Sequence, residues 1–377
     1  TVQLLMQAHP NLHLEFSSFQ AMRGVEWFGE AFGFERCLFG TNLPFKAPGA
    51  ARGYGDWRLA TDAQAQLWAG GNLRRLLKEA GPTDPPAPGR WHDELTAEAR
   101  AGLPLSCHVL NAHCHVLHDG SHWAGGPYIQ PMGDAPGMLA VFERMGVDGT
   151  ALMSWKGTVS MDMADGNRIV AEQVRHAPDR LIGVVTLDPT HMDAETMQRE
   201  IERYHLELGF PGMKHDLATT LSFSDPRFDA WWEFGNRHRL YVLFDKSPAD
   251  TPQIVDVARR FPDLHVLVAH TGRSFDYAQM VVAAAREYPN LYAELTYTAV
   301  PNGLVEYLCA EIGADRVLFG TDSPMRDPRP QLGWVLFTRL SAEEKRQIVG
   351  GNFRRILQAG RLPGYRLPAR FLGKASM

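Results

Sequence analysis

The stretch VLFGTDSP at residues 317–324 places an acidic residue after a short apolar run, and CLFGTNLP at residues 37–44 nearly repeats it. The match continues on both sides of this phrase. Further corresponding pairs are YPNLYAELTYT from Tyr288 with HPNLHLEFSSF from His9, and VGGNFRRIL from Val349 with AGGNLRRLL from Ala69. Because all these segments stay in register about 280 residues apart, the sequence predicts an internal duplication whose period is a whole domain.

Short apolar runs follow residue 105 and alternate with longer segments of helical periodicity, such as GNRIVAEQVRHAP. The predicted strands are residues 107–116, 149–154, 181–187, 212–215, 240–244, 264–270, 290–295 and 316–321. Apolar positions three and four apart predict the intervening helices. Repeats of strand and helix over about 250 residues predict a closed (β/α)8 TIM barrel. An open, doubly wound sheet is the alternative, but no GxGxxG or P-loop phrase supports it.

The repeat and the barrel together predict how the chain is divided. We expect the C-terminal part of a degenerate barrel at residues 1–80, a Pro-rich linker at 81–104, a complete barrel at 105–360 and a C-terminal tail at 361–377. The start of the first copy would lie upstream of Thr1. A fragment of the last two strands cannot close a barrel, and its open edges need cover. We expect it to pack against a missing upstream half-barrel, another chain in a homo-oligomer, or the intact barrel.

The composition indicates a protein that binds small molecules. The chain has 377 residues, a formal net charge of -5 and 45% hydrophobic residues, with no block of like charges. Neither nucleic acid nor a membrane surface is therefore an expected partner. No apolar run approaches the roughly 20 residues of a membrane span. The four cysteines lack metal-type spacing and disulfide density, which favours buried thiols and a cytoplasmic location.

Two histidines stand two residues apart at the end of the first predicted strand. Side chains alternate along a strand, so His113 and His115 point to the same side. Asp322 ends the last strand, which neighbours the first strand in a closed barrel. These three residues predict a divalent metal site with a position left for water, whose pKa a bound cation lowers to about 7. Hydrogen-bonded core histidines are the alternative for an isolated pair.

Other candidates also stand at predicted strand ends. His270 is a candidate general acid or base, or alternatively a further metal ligand. Arg273, three residues later, can hold a substrate carboxylate through a two-pronged hydrogen bond, or it is an ordinary surface residue. Lys214 ends the fourth strand and Trp155 follows the second, and we expect both to contact the substrate.

With these residues in place, residues 105–357 resemble the amidohydrolase superfamily, in its branch similar to aminocarboxymuconate-semialdehyde decarboxylase. The resemblance rests on AHCHV, GMKHD, VLVAHTG, VLFGTDSP and GGNFRRIL. It implies a metal-dependent TIM-barrel enzyme, usually with zinc, that hydrolyses C–N or C–O bonds or decarboxylates a small acid. By position, His113 and His115 match metal ligands, His270 the catalytic histidine, and Asp322 the aspartate that binds metal and handles protons. Lys214 matches a lysine that some relatives carboxylate.

One position departs from the family pattern. Relatives usually have a histidine ligand after strand five, where this chain reads VLFDKSP and places Asp245. A carboxylate in that place makes a harder site that would tolerate Mn²⁺ or Fe²⁺ better than a histidine-rich one. Alternatively, Asp245 pairs with Lys246 or Lys214, and the metal is weak or absent.

The first copy carries Asn42 where the second carries Asp322. An amide neither accepts a proton nor neutralises a cation as a carboxylate does, so we expect the first copy to have lost its chemistry. Weak ligation through the Asn42 carbonyl oxygen is the alternative.

The leading hypothesis is a metal-dependent hydrolase of a small carboxylated or cyclic substrate, such as a lactone or amide. In it, the metal, expected to be zinc, and Asp322 activate water while His270 polarises the carbonyl or protonates the leaving group. A metal-dependent non-oxidative decarboxylase of the same fold is the first alternative. A catalytically silent barrel with a scaffold or sensing role is the second.

Overall fold

The N-terminal part of the chain forms a small segment with a parallel strand pair. The structure is a computed structural model that describes residues 2–17, 19–79, 92–118, 132–159, 162–215, 217, 219–245 and 247–373. The segment contains α1 (Val2–Ala8), β1 (Leu14–Glu15), α2 (Gly24–Phe32), β2 (Cys37–Leu38), α3 (Gly49–Asp56), α4 (Asp62–Gln66) and α5 (Asn72–Leu77). In the strand pair, Leu14 lies opposite Cys37.

A parallel sheet of eight strands forms the second and larger part. Its strands are β3 (Val109–Val116), β4 (Val147–Ser154), β5 (Leu181–Leu187), β6 (Gly212–His215), β7 (Tyr241–Phe244), β8 (His265–Val268), β9 (Leu291–Glu294) and β10 (Val317–Leu318). The sheet closes between its ends, because the amide of Ala112 donates to the Phe319 carbonyl (3.1 Å) and that of His115 to the Ser323 carbonyl (2.6 Å). The predicted TIM barrel is confirmed, and every predicted apolar run overlaps an observed strand.

Helices surround this barrel. They are α6 (Glu94–Arg100), α7 (Ala135–Met145), α8 (Trp155–Val159), α9 (Met163–Val174), α10 (Ala194–Ile201), α11 (Asp229–Arg237), α12 (Thr251–Arg260), α13 (Phe275–Glu287), α14 (Leu304–Ile312), α15 (Pro328–Leu336), α16 (Ala342–Arg346), α17 (Asn352–Ala359) and α18 (Ala369–Leu372). None of the helices in the described residues is long and apolar enough to cross a membrane.

The strands are buried on both faces, which explains why they read as continuous apolar runs. One hydrophobic cluster lies between the sheet and the helices and includes Trp231 and Trp232. A second cluster fills the barrel interior, where Leu110 and Leu243 meet Phe353 of α17. Because apolar side chains fill the barrel there, the polar groups are left to the carboxyl ends of the strands.

The segment and the end of the barrel share local structure. Leu14 faces Cys37 in the segment as Ala293 faces Val317 in the barrel. The side-chain amide of Asn72 donates to the carbonyls of residues 34 and 37. That of Asn352 donates in the same way to the carbonyls of residues 314 and 317. Asn42 and Asp322 both have a left-handed backbone, with φ of 54° and 53°.

The segment packs against the barrel through α3 and α15. A Cβ atom on Gly53 would overlap the carbonyl oxygen of Arg329, so the two helices approach backbone to backbone. The buried Arg329 guanidinium contacts Glu26 of the segment (Nη1 to Oε1, 2.6 Å) and Asp327 of the barrel (Nη2 to Oδ2, 2.7 Å). Burial alone would raise the pKa of Glu26, but Arg329 lowers it to about 2.

The predicted linker at residues 81–104 is described only from residue 92. Within it, α6 begins after the N-cap Asp93, whose carboxylate contacts the buried Lys345 ammonium at 2.6 Å. The Thr96 hydroxyl of α6 donates to the Leu336 carbonyl at 3.0 Å. The second half of this stretch is thus held on the barrel surface.

Candidate active site

Ionisable side chains from six strands converge at the carboxyl end of the barrel. His113 and His115 lie on β3, Lys214 on β6 and Glu294 on β9, while Asp245, His270 and Asp322 lie in the loops that follow β7, β8 and β10. His113, Lys214 and Glu294 are fully buried. His270 and Asp322 have left-handed backbones with φ of 61° and 53°, a conformation that is uncommon for residues other than glycine.

His113, His115 and Asp322 form a compact donor set. The Asp322 Oδ1 atom lies 3.4 Å from Nε2 of His113 and 3.2 Å from Nε2 of His115. Burial lowers the pKa of both imidazoles well below the usual range, and the Lys214 charge adds to this effect. Both histidines are therefore neutral at neutral pH, which is the form that binds metal ions.

Glu294 leaves one nitrogen of His113 open for a metal. Its Oε2 lies 3.2 Å from Nδ1 of His113, so a proton on Nδ1 is shared with the carboxylate. Nε2 of His113 is buried and has no hydrogen-bond partner among the described residues. A metal-binding histidine commonly donates a hydrogen bond to a carboxylate from the ring nitrogen that does not bind the metal.

A second donor set overlaps the first. His113, Asp245 and His270 offer donor atoms within 4.8 Å of one another, as do His113, His115 and Asp322. The two sets share His113, so the donor atoms of all five residues adjoin one another. Two carboxylates and neutral imidazoles suit a divalent cation, and the donor set fits the predicted metal site.

Asp245 also contacts a lysine. Its Oδ2 lies 3.5 Å from Nζ of Lys214 and 3.2 Å from Nε2 of His270. Burial would raise the pKa of this carboxyl, but His270 and Lys214 hold it well below the usual range. The Asp245 side chain is therefore an anion that can serve as a metal ligand or as the counterion of Lys214. Lys246, the other predicted partner, lies outside the described residues.

His270 is held in one orientation. Its Nδ1 donates to the Thr296 carbonyl at 2.7 Å, and because a carbonyl only accepts, this fixes the proton on Nδ1. Nε2 then faces Asp245 and the interior of the site. The His270 ring lies 5.2 Å from that of His113, as expected for a group acting beside the metal donors.

The remaining predicted site residues border this centre. The buried Trp155 indole meets the His115 ring edge to face at 5.0 Å. Arg273 is half-buried, and its guanidinium stacks on the ring of Tyr297 at 5.1 Å. The Tyr297 ring in turn lies 5.8 Å from that of His270. The candidate site residues of the barrel that the structure describes thus lie in one neighbourhood.

The structure adds three residues that the sequence did not single out. Glu294 supports His113, Tyr297 lies between Arg273 and His270, and Arg326 forms an ion pair with Asp322. Arg326 also stacks on Tyr297 at 5.4 Å and donates from Nε to the Thr298 hydroxyl. A charged residue inside the apolar run LYAEL was a signal for Glu294. Arg326, four residues after Asp322, had no such signal.

Comparison with known proteins gave a family match and several similar structures. A family model described as Amidohydrolase matches residues 111–358. The gamma-resorcylate decarboxylase of Polaromonas sp. (strain JS666 / ATCC BAA-500) is 24% identical, over 52% of this chain and 76% of that protein.

Two solved structures are informative. One is a dihydroxybenzoic acid decarboxylase from Polaromonas sp. JS666 with bound manganese and 2-nitroresorcinol, with a TM-score of 0.52 and 18% identity over 66% of this chain and 96% of that one. The other is a 5-carboxyvanillate decarboxylase from Novosphingobium aromaticivorans, complexed with manganese and 4-hydroxy-3-methoxy-5-nitrobenzoic acid. Its TM-score is 0.54, with 15% identity over 67% of this chain and 96% of that one. At these identities, the likeness establishes the fold.

Proposed function

The chain belongs to the amidohydrolase family, and from this premise we propose that it is a metal-dependent decarboxylase of a small carboxylic acid. The observation that carries the proposal is the His113, His115 and Asp322 donor set beside a second carboxylate, Asp245, and cationic side chains. The similar proteins described above are named as decarboxylases, which supports this reaction over the hydrolysis expected from the sequence.

His113, His115 and Asp322 would hold the metal ion, with Asp245 as a further donor. When bound, the cation supplies a Lewis acid that attracts the anionic oxygens of the substrate and stabilises negative charge. Carboxylate oxygens favour harder ions, and two similar decarboxylases are described with manganese. We therefore propose Mn²⁺, rather than the zinc expected from the resemblance.

The protein side chains supply orientation and a proton. Decarboxylation breaks the bond between the carboxyl carbon and its neighbour, releases CO2 and leaves the electron pair on that neighbour, which must take up one proton. His270 is the donor we propose, because Nδ1 is tied to Thr296 and Nε2 points inward at Asp245.

The aromatic side chains complete the pocket. Trp155 lies against His115, and Tyr297 lies against His270, so two flat apolar surfaces border the ionisable groups. We propose that they bind a planar, unsaturated acid and keep water away from the carbon that takes up the proton. Lys214, buried beside Asp245, would contribute positive charge toward the departing carboxylate.

Metal analysis and product analysis together test the proposal. Protein purified without chelator should contain about one divalent ion per chain and release CO2 from a planar unsaturated acid, with aromatic mono- and dicarboxylates as the first acids to be tried. Asp322→Asn, which copies Asn42 of the N-terminal segment, should lose metal and lower kcat/KM. The loss should exceed the roughly 10- to 100-fold that is typical when a residue that only supports a metal ligand is replaced. His176→Ala, at an exposed histidine on the barrel surface, is the control. Full turnover in Asp322→Asn would refute the site, and a hydrolysis product without CO2 would refute the reaction.

A further inference from the structure

The cationic side chains near the metal site are not equivalent. The Lys214 ammonium faces the Asp245 carboxylate, and the Arg326 guanidinium faces the Asp322 carboxylate. Arg273 has no carboxylate within ion-pair distance among the described residues. Its Nε is buried and has no hydrogen-bond partner in the same part of the chain. Among the described residues, two of these cations thus have a carboxylate partner and the third, Arg273, has none.

Stacking fixes the unpaired guanidinium in place. The Arg273 Cζ lies 5.4 Å from the ring centre of Tyr277 and 5.1 Å from that of Tyr297. Stacking on aromatic faces leaves the edge of the guanidinium, where the N–H groups lie, available to an anion. A guanidinium held in this way loses little conformational entropy when a carboxylate binds to it. Arg273 is thus prepared to bind an anionic group.

The position of Arg273 relates it to the substrate. It follows His270 by three residues, and its backbone amide donates to the His270 carbonyl at 2.9 Å. Both side chains border the Tyr297 ring, on which Arg326 also stacks. An acid whose scissile carboxylate lies at the metal donors would therefore extend along Tyr297 toward Arg273.

The balance of charge favours a ligand with more than one negative charge. The site holds three carboxyl groups, Asp245, Asp322 and Glu294, and three cationic side chains, Lys214, Arg273 and Arg326, and a bound metal ion would add two positive charges. A monoanion would leave part of this excess buried and uncompensated, which is unfavourable at low dielectric.

We propose that the substrate is a dianion whose second anionic group, remote from the carboxylate that is lost, binds Arg273. This inference rests on the proposed function for the role of the first carboxylate. The second anionic group is inferred from the Arg273 guanidinium, which has no carboxylate partner among the described residues. Tyr277 and Tyr297 are the positioning residues that hold Arg273.

Calorimetric binding to the Mn²⁺-loaded full chain tests this assignment. The probes are benzene-1,3-dicarboxylate, a dianion, and benzoate, a monoanion of similar shape. The wild-type protein should prefer the dianion. Arg273→Met should weaken binding of the dianion by about 10- to 100-fold and leave that of benzoate unchanged, as expected for the loss of a charged hydrogen-bonded pair.

Further variants separate this role from a structural one. Arg273→Lys keeps the charge without the two-pronged geometry and should restore only part of the preference. Tyr297→Leu removes the stacking and should weaken dianion binding in the same direction. Arg199→Met, at an exposed arginine of α10, is the matched control and should bind both probes as the wild type does.

Distinct results refute the inference and the proposed function. Equal binding of the two probes by the wild type, or an unchanged preference in a folded Arg273→Met protein, overturns the inference. Decarboxylation of a dianionic acid with the same kcat/KM by wild type and Arg273→Met also overturns it, while the proposed function stands. Arg273-dependent dianion binding without release of CO2 supports the inference and overturns the reaction.

Discussion

At the scale of single residues, Glu294 orients two of the histidines in the site. It contacts Nδ1 of His113 through Oε2, and the same oxygen accepts from the backbone amide of His270 at 3.2 Å. Burial raises the pKa of Glu294 to about 7, although the His270 charge and the amides of Thr296 and His270 act against this shift. A buried carboxyl with these contacts determines which nitrogen of His113 faces the metal site.

Replacement of Glu294 by glutamine should weaken metal binding without removing a ligand. The amide keeps the size of the side chain but no longer favours the proton on Nδ1 of His113, so the metal-binding orientation is less populated. We expect the metal dissociation constant to rise by about 10- to 100-fold, as measured by competition with a chelator. Glu195→Gln, at an exposed glutamate of α10, is the control. An unchanged constant in a folded Glu294→Gln protein would exclude this role for Glu294.

The residues that could be predicted at this scale share a simple signal. His113, His115 and Asp322 stand at the ends of apolar runs, and strand periodicity places the two histidines on one face. Arg326 and Tyr297 lack such a signal, because their role depends on partners brought near by the closed barrel. The family predicted from the motifs is confirmed, whereas the roles of the individual site residues remain predictions.

At the scale of elements, the contact between α3 and α15 depends on glycine. The Gly53 backbone lies against the Arg329 carbonyl, and the Gly49 backbone lies against Gly333. A side chain at any of these positions would push the helices apart. In the same helix α3, a Cβ atom on Gly55 would have only the Trp68 Nε1 atom near it, at 4.0 Å.

Gly53→Ala and Gly55→Ala should therefore have opposite effects on stability. Alanine at position 53 overlaps a backbone carbonyl that cannot move without shifting α15, and we expect a loss of about 1–3 kcal/mol. Alanine at position 55 meets open space and gains up to about 1 kcal/mol from helix propensity. Urea unfolding of both variants measures the difference. Equal destabilisation would show that the close helix contact is not the cause.

Strands were easier to predict than contacts between helices. A strand buried on both faces leaves a continuous apolar run in the sequence, so every barrel strand could be located. The partner of α3 could not be found in this way, because small residues in GAARGYGD permit a close approach without indicating what approaches. This contact depends on the shape of both helices rather than on their hydrophobicity.

At the scale of the whole molecule, the contacts between the segment and the barrel are reciprocal. The amide of Asp327 donates to the Gln20 carbonyl at 2.8 Å, and the amide of Ala47 donates to the Val300 carbonyl at 2.9 Å. In the sequence repeat, Gln20 corresponds to Val300 and Ala47 corresponds to Asp327. The two hydrogen bonds therefore join the same two positions of the repeat, with the segment and the barrel exchanged. Contacts of this kind are typical of a two-fold symmetric interface. We therefore propose that the segment and the barrel are two copies of one unit that pack as the subunits of a dimer do.

The same repeat indicates what covers the outer face of the segment. In the barrel, Phe353 and Ile356 of α17 are buried in the interior cluster. Their counterparts in α5, Leu73 and Leu76, are 46% and 42% exposed. We propose that this apolar face binds the strands and helices of a further half-barrel, which would complete the first copy. Exposed leucines at positions equivalent to a barrel interior are otherwise unfavourable.

The docking of the segment should depend on the ion pair between Glu26 and Arg329. The pKa of Glu26 is lowered from 4.5 to about 2, so its contribution is complete above pH 4.5 and is lost as the pH falls toward 2. This shift corresponds to about 3 kcal/mol. Glu26→Gln should remove a similar amount at neutral pH, because the buried guanidinium keeps only Asp327 as a charged partner.

Hydrogen exchange of the α3 amides measures this effect, because α3 is exposed to solvent when the segment leaves the barrel. Exchange of the α3 amides should be faster in Glu26→Gln than in Glu30→Gln. Glu30 is an exposed glutamate of α2, the helix that also carries Glu26, and it pairs with Arg23 at 3.4 Å. The barrel strands should exchange equally slowly in both variants, since their amides are hydrogen-bonded within the closed sheet. Equal exchange of α3 in the two variants would mean that the glycine contacts hold the segment without help from this ion pair.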